Sequence, residues 1–189
     1  MSKIEANTIA PSTGTTLTLG ESGDTVTLGS GASLSGFGVN TPAFSAYINS
    51  NQTLSDNTDT KGNYDTENYD TDSAYDTTNK RFTVPSGKEG KYFFYARGRF
   101  FDPSDQSQYV IAIRKNDIEI AKRYIYSGAV ATKIFNSINY FSYDISCNVS
   151  LSAGDYVEVF VKADDVGGTS ITYEGGTVHS EFSGFKIIE

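Results

Sequence analysis

The chain of 189 residues has no tryptophan, one cysteine, one histidine and a single methionine at its start. Cys147 has no partner for an internal disulfide, so the fold does not depend on an oxidising compartment. Its apolar-alternating surroundings mark it as a small buried hydrophobe. His179 has no cysteine nearby, and no serine–histidine pair can be singled out around it. Cations are also scarce: 15 Lys and Arg stand against 23 Asp and Glu, a net charge of −8, which argues against nucleic acid as a partner. No 18 consecutive residues are apolar, so membrane insertion is not expected. The opening stretch MSKIEANTIAPSTG lacks an apolar core of signal-peptide length, and synthesis in a cytoplasm is expected. Helical periodicity never outlasts two turns.

Signatures of catalysis are missing too. The glycine-rich stretches lack the Gly-Lys-Ser/Thr ending of a phosphate loop. The carboxylate pairs Asp164-Asp165 and Asp70/Asp72 have turn-like neighbours and read as solvated loop acids, not a glycosidase pair. Residues 57–68 approach a calcium hand-loop but carry Lys61 where a ligand oxygen is needed, and Asn68 in place of the closing glutamate. Asp65, Glu67, Asp70 and Asp72 leave a looser oxygen cage open, although no metal site is assigned. The expectation is a non-enzyme without a cofactor.

What the chain does hold is 13 Tyr, 12 Phe and 18 Gly, the composition of an all-β protein built from short strands and many turns. Its centre is Arg81–Phe101: a strand, a break at Pro85-Ser86-Gly87, and a longer strand released by Gly90. Side chains alternate across a strand, so Tyr92, Phe94, Ala96, Gly98 and Phe100 share one face. Phe93, Tyr95, Arg97, Arg99 and Phe101 share the other. That second face is either the edge of a wide core with an arginine rim or a surface buried against another subunit.

Before this centre lies an internal repeat. Thr16-Leu-Thr-Leu-Gly20 returns nine residues later as Thr25-Val-Thr-Leu-Gly29, with a weaker echo over 32–36. A flexible linker is one reading. Strict alternation of Leu and Val with Thr favours a small β-prism made by three chains side by side. Glycine and proline punctuation over 36–42 suggests a boundary, dividing the chain into an extended segment (1–15), a β-repeat neck (16–41) and a main domain (42–189). Residues 56–76 form an acidic, tyrosine-bearing surface excursion with one or two edge strands. Its Tyr64, Tyr69 and Tyr75 are candidates for a binding loop, or else pack onto the domain.

Further strands are expected at 108–114, at 118–126 with Ile118 and Ile120 inward, at 135–145, at 156–162 and at 179–188. A short hairpin is expected between Gly167-Gly168 and Gly175-Gly176. Eight to ten strands at this spacing suit a sandwich or jelly roll.

The motifs Ala43-Phe-Ser-Ala46, Asn68-Tyr-Asp70, Arg81-Phe-Thr-Val-Pro85, Gly90-Lys-Tyr-Phe-Phe94, Val149–Val157 and Phe182-Ser-Gly-Phe185 occur in order over about 145 residues. In that order they resemble the globular-head domain of the complement and tumour-necrosis-factor superfamily. The resemblance implies a jelly roll of about ten strands that assembles as a tight homotrimer and works as a non-enzymatic binding head. It makes Phe93, Tyr95, Phe160, Phe182 and Phe185 the candidates for the trimer interface.

The first 35 residues or so resemble the leader of small virion proteins of tailed phages, especially marine ones. This second resemblance implies attachment to other virion proteins, with Ile4, Ile9, Leu17, Leu19, Val26 and Leu28 as anchor candidates. The expected role is capsid decoration, as a head fibre or knob in the virion. The runner-up is a short tail fibre that recognises a host surface glycan or protein.

Overall fold

A computed structural model describes residues 9–11, 13–27, 30, 40–101, 107–126, 140–165, 167–168 and 170–187. The chain divides into two compact units, Met1–Phe37 and Gly38–Glu189. Among the described residues every regular element is a β-strand, and all pairings are antiparallel. The strands are β1 (Ala43–Tyr47), β2 (Gln52–Leu54), β3 (Thr60–Lys61), β4 (Thr66–Asp70), β5 (Tyr75–Asp76), β6 (Arg81–Thr83) and β7 (Gly90–Phe101). They continue with β8 (Ser107–Lys115), β9 (Ile118–Tyr126), β10 (Tyr140–Leu151), β11 (Tyr156–Asp165), β12 (Ile171–Tyr173) and β13 (Glu181–Lys186). The first sheet runs β2-β12-β7-β13-β1-β4, with β10 along the other edge of β7. The second runs β5-β6-β11-β8-β9, with β3 also paired to β11. The strand count exceeds the expected ten because β2, β3, β5, β6 and β12 are pieces of two or three residues.

Alternation makes the core. On β7, Tyr92, Phe94, Ala96 and Phe100 are fully buried, and they face Val157, Val159, Val161 and Ala163 of β11 and Tyr109, Ile111 and Ile113 of β8. Phe44 of β1 sits at the centre, its ring 4.8 Å from Tyr75, 5.1 Å from Phe82 and 5.0 Å from Phe182. Each such aromatic contributes about 1.5–3 kcal/mol by leaving water. The β8–β9 hairpin turns at Asn116 and Asp117, both at positive φ (48° and 66°), as a two-residue hairpin that follows the sheet twist requires. Asp155 closes the β10–β11 turn by accepting from the Ser152 amide at 2.8 Å.

Two local expectations are corrected. Among the described residues of 168–175 the expected hairpin is replaced by β12, which pairs with β2 and β7 and so extends the first sheet. Ile118 is 70% exposed because the register of β8 and β9 shifts between Ile113 and Arg114, turning that end of β9 away from the core.

In the first unit no strand forms among the described residues. Gly20 and Gly23 adopt positive φ, and the Asp24 carboxylate accepts from the Glu21 amide at 2.8 Å to close a turn. Leu17, Leu19 and Val26 are exposed, as is Ile9, while Ile4, Leu28 and the echo over 32–36 lie outside the described residues. Among the described residues of this segment no strand pairs with another, so a prism would have to form between chains.

Candidate assembly and binding surface

Antiparallel register sets the outward rows of the first sheet. Phe93 is paired with Phe185 on one side and Asn148 on the other; Tyr95 lies between Ser183 and Ser146, and Arg97 between Glu181 and Asp144. Arg99 is opposite Ser142, and Phe101 opposite Tyr140. From Phe93 to Arg99 the face therefore grades from apolar, through hydroxyls, to charge. At the apolar end the Phe93 and Phe185 rings meet at 5.4 Å with Phe185 37% exposed, so one copy leaves the pair incompletely covered. Burial first, then the Asp144 carboxylate, raises the Tyr95 pKa, and the phenol stays protonated.

At the charged end Arg97 donates through Nη2 to the Thr177 carbonyl (3.0 Å) and lies 3.4 Å from Glu181. Arg99 pairs closely with Glu174, donates to His179 Nε2 at 2.9 Å and stacks on Tyr140 at 4.6 Å. A guanidinium only donates, so in this contact His179 accepts at Nε2. Of these, Arg97 and His179 line a cleft of about 220 Å³, together with Tyr95, Ser142, Asp144 and Val178.

β10 closes this side of the first sheet. It is hydrogen-bonded to β7 along all twelve of its residues, and no described strand pairs with its other edge. Its inward row of Phe141, Tyr143, Ile145, Cys147 and Val149 is only half-buried against the core. Burial still pushes the Tyr143 phenol up to about 12 and the Cys147 thiol up to about 11. Arg123 of β9 bridges the mouth between the sheets by donating to the Asp144 carbonyl at 3.0 Å. Tyr124 and Tyr126 of β9 are exposed beside it. An unpaired edge with a half-covered apolar row is a surface built to be covered.

Of the interface candidates, Phe93, Tyr95 and Phe185 share this face. Phe182 does not: it is fully buried between the sheets, because its partners Ala46 and Ala96 point inward. Phe160 lies on the opposite outer face, half-buried under the Arg114 guanidinium at 3.8 Å, and shares no surface with Phe93. The tyrosines of the excursion also separate. Tyr64 and Tyr75 are core residues, joined by the Tyr75 hydroxyl donating to the Tyr64 carbonyl at 2.7 Å. Tyr69 alone is exposed, at 53%.

The acids of the excursion hold their own backbone. Asp70 accepts from the amides of Asp72 and Tyr75 (3.2 and 2.8 Å), and Asp65 accepts from the Asn49 amide (2.9 Å) and the Asn63 side chain (2.8 Å). Asp72 pairs with Lys88 at 3.1 Å. Among the described residues no group of three or more His, Cys, Asp or Glu side chains is placed to hold a metal ion.

No protein-family model matches the chain, and no curated protein matches it. Solved structures do. The globular domain of the zebrafish complement 1qA protein aligns at TM-score 0.55 and 17% identity, covering 77% of this chain and 96% of that one. Murine APRIL aligns at TM-score 0.52 and 12% identity, covering 77% of this chain and 99% of its own. The fold is a complement- and TNF-like jelly roll. At these identities the likeness extends to the fold alone. The Eiger TNF of S. frugiperda also overlaps, at TM-score 0.48 and 16% identity.

The β10 edge was missed by sequence reasoning. Its alternation of Phe141, Tyr143, Ile145 and Val149 with Ser142, Asp144, Ser146 and Asn148 is that of any half-buried strand. Only the sheet order shows that no described strand pairs with its outer edge.

Proposed function

We propose that this chain is a non-enzymatic structural protein that assembles as a homotrimer and projects its jelly-roll head from a phage virion. The observation that carries the trimer is the uncovered surface of the first sheet: the Phe93–Phe185 pair on its outer face and the half-buried row on the free β10 edge. A second copy laying its β9 and β10 edges against Phe93, Tyr95 and Phe185 would cover both at once. Three copies related by a threefold axis repeat that contact and close. The exposed Leu17, Leu19 and Val26 then gain partners in two neighbouring chains, which accommodates the prism neck. The placement in a virion rests on the resemblance of residues 1 to about 35 to tailed-phage leaders, and decoration of the capsid is the role we favour. A tail-fibre role with host recognition is the second reading, supported by the polar cleft beside Arg97.

Light scattering tests the assembly. The full chain should run at three times its 20.5 kDa mass, and Phe93→Asp should give monomers or aggregates. Unchanged trimers of that variant would remove Phe93 from the contact, and a monomeric wild-type chain would end the trimer reading. Deleting residues 1–36 should abolish incorporation into particles, and incorporation at the normal level would refute the anchor.

A further inference from the structure

The sandwich is open along one side, between β9 of the second sheet and β10 of the first. No described strand pairs with the outer edge of either. Ile145, Cys147 and Val149 of β10 and Ile120 of β9 line this mouth, all half-buried against the core. Two contacts across it fix the levels. Arg123 donates to the Asp144 carbonyl at 3.0 Å, and Lys115, the residue paired with Ile118, donates to the Ser150 carbonyl at 3.1 Å. β9 and β10 therefore run in opposite directions, and Ile120 stands level with Cys147.

The outer face of the first sheet has the same order of layers, because the register of β7 sets both. Phe93 and Phe185 stand level with Asn148, Tyr95 and Ser183 with Ser146, and Arg97 and Glu181 with Asp144. The face is apolar where the mouth is apolar, and charged where the mouth carries Asp144 and Arg123. A threefold rotation moves nothing along its axis. With the axis along the strands, each layer of one copy meets the layer at its own height in the next. The other free edge of the first sheet offers no such match. β4 carries Glu67, Asn68, Tyr69 and Asp70, and its register with β1 shifts between Ser45 and Ala46; charge and irregularity of this kind keep an edge from pairing.

We propose that the Phe93–Phe185 pair of one copy seats in the mouth of a second copy, with Phe185 against that copy's Cys147, Val149 and Ile120. One layer of charge then crosses the contact, Arg97 and Glu181 of the first copy facing Asp144 and Arg123 of the second. This names the residues that meet in the trimer proposed above, and rests on it.

Cys147 is the only cysteine of the chain, so one substitution tests the seating. Within one copy Phe185 and Cys147 lie on opposite faces of the sheet with β7 between their strands, out of disulfide reach. A bond from Phe185→Cys to Cys147 can therefore form only between copies. The full-length variant is checked for trimer mass by light scattering, oxidised with copper phenanthroline and run on a non-reducing denaturing gel. Covalent trimers at three times the 20.5 kDa chain mass, lost when Cys147→Ser is added, support the seating. Where loss of the ring prevents assembly, p-benzoylphenylalanine at position 185 keeps an aromatic group there. Irradiation should then attach it to residues 145–149 or to residue 120 of the neighbouring copy, read by mass spectrometry of the peptides. Trimers that give no covalent species by either route, or cross-links only outside 118–126 and 140–151, overturn the seating and leave the trimer standing. A monomeric wild-type chain overturns both.

Discussion

Gly98 sits on the inward face of β7 between Arg97 and Arg99, where the alternation calls for a side chain and the sequence supplies none. A Cβ there would occupy the place of the Tyr173 hydroxyl and the adjoining edge of its ring. Tyr173 cannot yield cheaply. Its hydroxyl is bonded to that of Tyr64 at 2.8 Å, both rings are fully buried, and the Tyr64 hydroxyl donates to the Arg97 carbonyl at 3.2 Å. Burial raises both phenol pKa values well above their ordinary value, so both groups are neutral and need their hydrogen bonds. Gly98→Ala therefore overpacks the core at a cost of about 1–3 kcal/mol. Displacing the hydroxyl pair adds about 1–3 kcal/mol. Against a domain stability of about 5–15 kcal/mol this is a large share. With a urea slope of about 1–3 kcal/mol per molar, the midpoint should fall by about 1–3 M. Near-ultraviolet circular dichroism of the tyrosines follows the transition, at one protein concentration so that any oligomer equilibrium is held constant. Tyr173→Leu makes room for the new methyl, so the double variant should be more stable than the sum of the two single losses predicts, by at least about 1 kcal/mol. A midpoint shift below about 0.3 M, or strict additivity, would refute the packing argument.

Two further predictions concern titration and reactivity. Asp155 is held at a pKa of about 2, chiefly by Lys115, then by the Ser152 amide and the Asn116 side chain. A folded pKa below the unfolded value of about 3.9 means stabilisation that is complete above that value and lost as the pH falls through 2. Asp155→Asn should therefore be less stable than wild type at pH 7 and nearly equal to it at pH 2, and a stability gap independent of pH would contradict the assignment. Cys147, half-buried with its thiol near 11, should resist iodoacetamide at pH 7 in the native protein and react when urea is added. Rapid labelling of the native chain, read by mass spectrometry, would show that β10 is not covered as described.

The parts of the fold governed by alternation were legible in the sequence. Residues 90–101 separate into inward and outward rows as their pattern dictates, and Val157, Val159 and Val161 point inward as expected. Turn chemistry was legible too, at Asn116-Asp117 and at Ser152–Asp155. What alternation could not give is which neighbour a strand has. Tyr64 is a core residue on the crossing from β3 of the second sheet to β4 of the first, and Tyr75 one on β5 after the chain has crossed back. Phe182 and Phe185 differ by three positions and so point to opposite faces, and only the pairing of β13 with β1 and β7 decides which is inside. The cleft was invisible for the same reason: Asp144, Arg97 and His179 are far apart in sequence and meet through register.

The two outer faces of the sandwich also explain why the proposed contact between copies belongs on the first sheet. On the second sheet, away from the β9 edge with its exposed Tyr124 and Tyr126, two aromatic residues already carry cations within one chain: Arg81 lies over Tyr156, and Arg114 and Lys61 lie over Phe160. Its buried carboxylate, Glu158, is neutralised by Lys61, and Arg114 is shared between Asp59 and Glu119. Docking a partner there would strip water from charges that are already paired and return little apolar burial. The first sheet is in the opposite condition. Phe93 and Phe185 stack on each other with Phe185 still 37% exposed, and no described strand pairs with the outer edge of β10, whose inward apolar row is half-buried. Covering these removes apolar area from water without breaking an ion pair, since the charged row lies toward the far end of β7, at Arg97 and Arg99. The same gradient along one strand thus places the contact at its apolar end.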